Sequence, residues 1–158
     1  MVMLRNVPYP EGQIGVLNLI KLRGFSGLFN FFYAPLDFSS GNNLGYAFIN
    51  FTQPEAVDRF IAEFDGIRPA GDTWSQKDLK VCWARVQGYE ENVDQYRNSP
   101  VNDMPEEYRP MIFDLDGRQV PFPRPDDSVP RKPIPTQSIY NGGRRPRFAS
   151  ASQIIRQK

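Results

Sequence analysis

Two aromatic side chains two residues apart, Tyr46 and Phe48, are the positions of this chain best suited to do chemistry. They lie in Leu44–Phe51 (LGYAFINF), whose alternation predicts a β-strand. Successive strand residues point to opposite faces. Gly45, Ala47, Ile49 and Phe51 therefore share one face and suit packing under helices, while Tyr46 and Phe48 share the other. Two rings on an open sheet face make a stacking platform for nucleic-acid bases, worth ~1–3 kcal/mol per stacked base.

Other chemistries fall away on composition. The chain has no histidine, which removes Ser-His-Asp triads, imidazole acid-base catalysis and histidine metal sites. Its single cysteine, Cys82, excludes an internal disulfide or a Cys-rich zinc site, and nothing nearby in sequence would activate its thiolate. No nucleophile–base pair or phosphate loop is present, so the expectation is a binding protein without cofactor or metal, not an enzyme. No stretch approaches the length of a membrane-spanning helix, and the N-terminus lacks a signal pattern. A soluble intracellular monomer, nuclear or cytoplasmic, is expected.

The rings need elements to hold them. Val2–Val7 reads as a strand ended by Pro8 and Pro10. Ile14, Leu17, Ile20 and Leu22, with Val16 and Leu19, form a helical stripe that stops at Gly24. Leu28–Pro35 (LFNFFYAP) is an aromatic-rich strand, followed by the turn-rich Ser39–Asn43 and then the LGYAFINF strand. Thr52 and Glu55 suggest a capping box with Pro54 in the first turn; Ala56, Val57, Phe60, Ile61 and Phe64 form that helix's buried face, and Gly66 ends it. Leu79–Ala84 (LKVCWA) is a fourth strand. The order βαββαβ predicts an α+β, ferredoxin-like sandwich over residues 1–86, one sheet with two helices on one face.

On the open face, Lys80, Cys82 and Ala84 join the rings if Val81 and Trp83 face the core, and Arg85 follows at the strand's end. Arg5, beside Met3, is placed to meet a phosphate. Tyr33 or Asn30 should reach the same face, a choice that a bulge in LFNFFYAP would reverse.

The Leu44–Phe51 strand resembles the longer signature of the RNA-recognition motif: Gly45, Tyr46, Ala47, Phe48 and Phe51 fit, Ile49 stands for Val, and Leu44 replaces a basic residue. VMLRNV is similar to the motif's shorter signature, with Met3 where a ring is usual. DFSSGNNLGYAFINF, Ala84–Gly88 (ARVQG) and Arg109–Gly117 (RPMIFDLDG), in this order, resemble the C-terminal RNA-recognition motif of the Mei-two-like proteins, meiosis regulators in fission yeast and growth regulators in plants. That resemblance covers roughly residues 1–125. It implies single-stranded RNA as partner, post-transcriptional regulation as role, and Tyr46, Phe48 and Met3 as contacts. Family members carry two further such motifs upstream, leaving open whether this sequence is a fragment of a longer protein or a single-domain relative.

Residues 87–123 exceed a generic motif. Tyr89, Val93 and Tyr96 mark a short amphipathic helix, Arg109–Phe113 an extended segment and Asp116-Gly117 a turn. This extension could widen the binding face, lie across it, or only brace the domain's edge. Residues 124–158 differ again. The overall charge is +1, yet residues 1–123 hold 11 basic and 16 acidic side chains (net −5), whereas the remainder holds 8 basic and 2 acidic (net +6). With five prolines and Asn141-Gly142-Gly143, that remainder reads as a disordered basic tail whose Arg144, Arg145 and Arg147 could contact phosphate. The acidic body, Leu44 and Met3 also leave room for a protein-interaction module on the same fold, with weak or no RNA binding.

Overall fold

The structure, a computed structural model, describes residues 1–7, 12–68 and 77–131. Its six-stranded sheet runs, in spatial order, through residues 80–83, 2–5, 46–51, 29–33, 111–113 and 119–120 (β4-β1-β3-β2-β5-β6), with every neighbouring pair antiparallel. β1 (Val2–Arg5), β2 (Phe29–Tyr33), β3 (Tyr46–Phe51) and β4 (Lys80–Trp83) are the four expected strands. Helices α1 (Gln13–Ile20) and α2 (Pro54–Phe64) follow β1 and β3, completing the βαββαβ order. Two strands come from the extension: β5 (Met111–Phe113) pairs with β2, and β6 (Gln119–Val120) turns back on β5.

Alternation in β3 works as its sequence implies. Ala47 and Ile49 are fully buried on the helical side, with Val2, Leu4, Phe29, Phe32 and Val81 beside them. The helices close this core with Val16, Leu17, Ile20, Phe60 and Phe64.

Three local expectations change. The stripe on the first helix is narrower than its six apolar residues suggest, since Ile14 and Leu22 are 52% and 86% exposed. The chain widens into a π turn over Lys21–Phe25, with Gly24 at φ 91°. Widening carries Leu22 outward and brings Phe25 into the core, edge-on to Phe60 with ring centroids 5.3 Å apart. The capping box at α2 does not form: no side chain caps that helix, and Thr52 Oγ1 instead donates to the Leu28 carbonyl at 3.2 Å. Pro54 still opens the helix, where its missing N–H is no loss.

Gln13 ties the extension to this core. It is 2% exposed; its Nε2 donates to the carbonyls of Glu107 (3.1 Å) and Arg109 (2.9 Å), and its Oε1 accepts from Ala34 N–H at 2.8 Å. One side chain thereby joins α1, the end of β2 and the approach to β5. Replacing it by Ala strands one donor and two acceptors in a buried place. Gln13→Ala should lower unfolding free energy by about 2–3 kcal/mol in chemical denaturation; a loss well below 1 kcal/mol would show that water replaces all three bonds.

Candidate nucleic-acid interface

The sheet face opposite α1 and α2 is set by strand register. One row is Lys80–Arg5–Tyr46 and the next is Cys82–Met3–Phe48–Tyr33. Register slips between Phe29 and Phe31, so β2 spends one extra residue against β3. The slip decides the open question in this strand. Tyr33 takes the open face with Phe31, and the extra residue, Asn30, accepts a 2.9 Å hydrogen bond from Asn50 Nδ2.

This face is only partly open. Helix α3 (Tyr89–Arg97) crosses it, forming a second apolar core from Met1, Phe31, Tyr33, Ala84, Val93, Tyr96, Val101 and Ile112, with Phe48, Tyr89 and Phe122 packed at its margin. The Tyr96 ring stacks on Phe31 at 6.1 Å and meets Tyr33 edge-on at 4.9 Å. Burial pushes the Tyr96 hydroxyl well above the usual phenol range, with Tyr33 and Tyr46 adding to it. The extension therefore does two things at once: β5 and β6 widen the sheet while α3 lies over its β2 side.

Three buried asparagines pin this cover. Asn92 Nδ2 donates to the carbonyls of Val86 (3.1 Å) and Gly88 (2.7 Å) at the start of α3. Just past its end, Asn98 Nδ2 donates to Asp126 (3.0 Å) and Val129 (3.3 Å) carbonyls, and Asn98 Oδ1 accepts from Asp126 N–H at 2.7 Å. Asn102 Nδ2 bonds the carbonyls of Arg97 (2.8 Å) and Pro123 (2.9 Å). Residues 124–131, expected to belong to a disordered tail, are thus seated against α3 and its C-terminal corner. Arg97 Nε adds a 2.8 Å bond to the Arg124 carbonyl. Lifting α3 would expose Phe31, Tyr33, Val93 and Tyr96, each contributing ~1.5–3 kcal/mol by burial. The cover is a permanent part of the fold.

The expected contact residues divide accordingly. Tyr46 and Phe48 stay half-exposed, their rings edge-to-face with centroids 5.6 Å apart. They present two separate faces and not one flat table. Arg5 is half-buried between Tyr46 and Lys80 in register; Lys80 and Arg85 are exposed. Among the described residues no carboxylate forms an ion pair with these three cations. Tyr33 corrects the sequence reading: it faces the right way but is 2% exposed, because Tyr96 sits on it. Met3 (8%) and Cys82 (4%) are on the platform yet offer little surface, Met3 on β1 between β3 and β4, and Cys82 beside it on the edge strand β4. Arg144, Arg145 and Arg147 lie outside the described residues.

Sequence reasoning missed Phe31, which LFNFFYAP did not separate from its neighbours, and the asparagines that fasten α3. Asparagine in a polar stretch reads as solvated; the local carbonyls of Val86 and Gly88 for Asn92, and the backbone brought back by residues 123–129 for Asn98 and Asn102, make their burial intelligible.

A βαββαβ sheet with paired aromatics on the central strand, opposite the helices, defines an RNA-recognition-motif domain. The chain belongs to the RNA recognition motif 2 family, the Mei2 type, which it matches over residues 1–97. It is 33% identical over 135 residues to the meiosis protein mei2 of Schizosaccharomyces pombe, covering 80% of this chain and 17% of that one. Protein MEI2-like 1 of Arabidopsis thaliana is 32% identical over 142 residues, covering 84% of this chain and 15% of that one. The chain thus spans less than a fifth of the length of these relatives. The structure of the Rna15 RRM with bound RNA (GU) matches 60% of this chain and 92% of that chain, with a TM-score of 0.46 at 20% identity.

Burial pushes the Cys82 thiol above its ordinary range, against a smaller opposing effect of Arg5 beside it, and Sγ donates to the Met3 carbonyl at 3.7 Å. A thiol both raised in pKa and covered reacts slowly. At pH 8 Cys82 should react with an aromatic disulfide reagent at least about tenfold more slowly in the native protein than in denaturant; equal rates would mean that β4 opens freely.

Proposed function

We propose that the domain binds single-stranded RNA, with bases stacking on Tyr46 and Phe48 and phosphates meeting Arg5, Lys80 and Arg85, as part of post-transcriptional regulation. The observation that carries this reading is the half-exposed pair of rings, Tyr46 in strand register with Arg5 and Lys80 and Phe48 in the adjoining row, on a face otherwise largely sealed. Membership of an RNA-recognition-motif family supports it. The net −5 of residues 1–123 does not oppose it, because stacking needs no net charge. The cations on this face, moreover, carry no ion-paired acid among the described residues. Attraction for the phosphate chain is delegated in part to the basic residues beyond 131, among them Arg144, Arg145 and Arg147.

Met3 in place of a ring, and its burial, favour a second reading in which the same face holds a protein partner. The two separate cleanly in solution. Replacing Tyr46 and Phe48 together by Ala should weaken binding of a short single-stranded RNA by tenfold or more in fluorescence anisotropy, since each stack removed is worth ~1–3 kcal/mol. Unchanged affinity would remove the platform from the mechanism, and no binding by the unaltered chain at low salt would favour the protein partner.

The tail has its own measure. Changing Arg144, Arg145 and Arg147 together to Ala in the full chain should flatten the dependence of log affinity on log salt by about 0.7 for each phosphate that is no longer neutralised. Superimposable slopes would leave these arginines without an electrostatic part.

A further inference from the structure

The RNA reading above, if right, acquires a boundary from the extension. We infer that α3 is a fixed specificity wall, limiting the sheet-bound RNA to the bases seated over β1 and β3 and excluding the β2 side of the platform from the site. The inference rests on the proposed RNA binding and goes further, to how much RNA the sheet can hold.

Three observations carry it. The first is the division of the face. Lys80, Arg5, Tyr46 and Phe48 keep surface to offer, whereas Phe31 and Tyr33 on β2 and Ile112 on β5 are 0%, 2% and 4% exposed in the cluster built on α3, which Met1 and Ala84 also join, and Met3 and Cys82 offer little surface. Adjacent strands lie ~4.8 Å apart, so the open row Lys80–Arg5–Tyr46, with Phe48 beside it, is only about 10 Å long, room for roughly two bases.

The second is how the helix is fastened. Asn92 holds its first turn, and Asn98 and Asn102 hold its end through five hydrogen bonds in which Pro123, Asp126 and Val129 are the distant partners. All three side chains are buried, at 4%, 4% and 7% exposure. A helix held by satisfied buried amides at both ends and by an apolar underside has no low-cost open position.

The third is where the wall stands. Tyr96 contacts Tyr33 directly, and Phe48 packs at the margin of the same cluster, so the covered region begins where the two stacking rings end. A base on Phe48 would have α3 as its next neighbour, in the place where a third base would otherwise stack.

The test uses the full chain and an oligouridine tract containing 4-thiouridine, photo-crosslinked and mapped by mass spectrometry. Crosslinks are expected on the β3 segment, at Tyr46 or Phe48, and none at Phe31 or Tyr33. A crosslink at Phe31 or Tyr33 in the unaltered protein would overturn the wall while leaving RNA binding intact; failure of the tract to bind at all would instead overturn the RNA reading on which the wall rests. The variant Asn98→Ala/Asn102→Ala should loosen α3, seen as faster amide exchange over residues 89–97. With it, crosslinking should spread to Tyr33 and affinity for the tract should rise by roughly fivefold or more as one further base finds a ring. Faster exchange with an unchanged crosslink map would count against the wall. Should the variant fail to fold, the map of the unaltered chain still decides.

Discussion

The contact of Tyr96 with Phe31 and Tyr33 is the interaction on which most of the domain depends. A sheet with two helices has apolar cover for one face only, and β2 carries large rings on both. Phe29 and Phe32 belong to the helical core, and Phe31 and Tyr33 to the other side. Without α3 those two rings would stand in water on the strand that also carries β5. The extension resolves this by placing a helix over them and strands beside them. From that one requirement follow the second core, the docking of residues 124–131, and the restriction of the half-exposed strand rings on this face to Tyr46 and Phe48.

Much of this is legible in the sequence, and the reasons are specific. Strand β3 announces itself because its two faces differ in kind, Ala47 and Ile49 against Tyr46 and Phe48. Helix α2 is clear because Phe60 and Phe64 recur at helical spacing. The site's outline follows from those elements alone, since register then fixes that Arg5 lies between Tyr46 and Lys80. For Tyr33 the alternation gives the right direction and the wrong exposure: what lies in that direction depends on residues more than sixty positions later. The same limit applies to Ile14 and Leu22, whose apolar character is genuine but whose facing depends on a π turn that no periodicity signals.

Charge shows a related contrast. Splitting the chain by composition at residue 123 separates an acidic body from a basic remainder, yet the structural boundary falls later. Pro123, Arg124, Asp126 and Val129 offer backbone groups to the Asn98–Asn102 corner, and composition is blind to a segment held by its main chain. Net charge likewise describes the whole surface poorly where it matters most: Arg5, Lys80 and Arg85 bring local positive charge to an acidic domain.

The bonds of Gln13 have a consequence for the order in which the chain can fold. Its two acceptors lie 94 and 96 residues further on, so although Oε1 meets Ala34 N–H as soon as β2 is made, the Nε2 of this amide has no native acceptor until the approach to β5 arrives. Central strand β1 must likewise wait for β3 and β4. With so many pairings distant in sequence, closure of the domain is a late and collective event, slower than for a helical bundle of equal length. A ribosome making this chain would release α1 long before the groups that complete it, and the helix would spend that interval with a polar side chain facing a site not yet built.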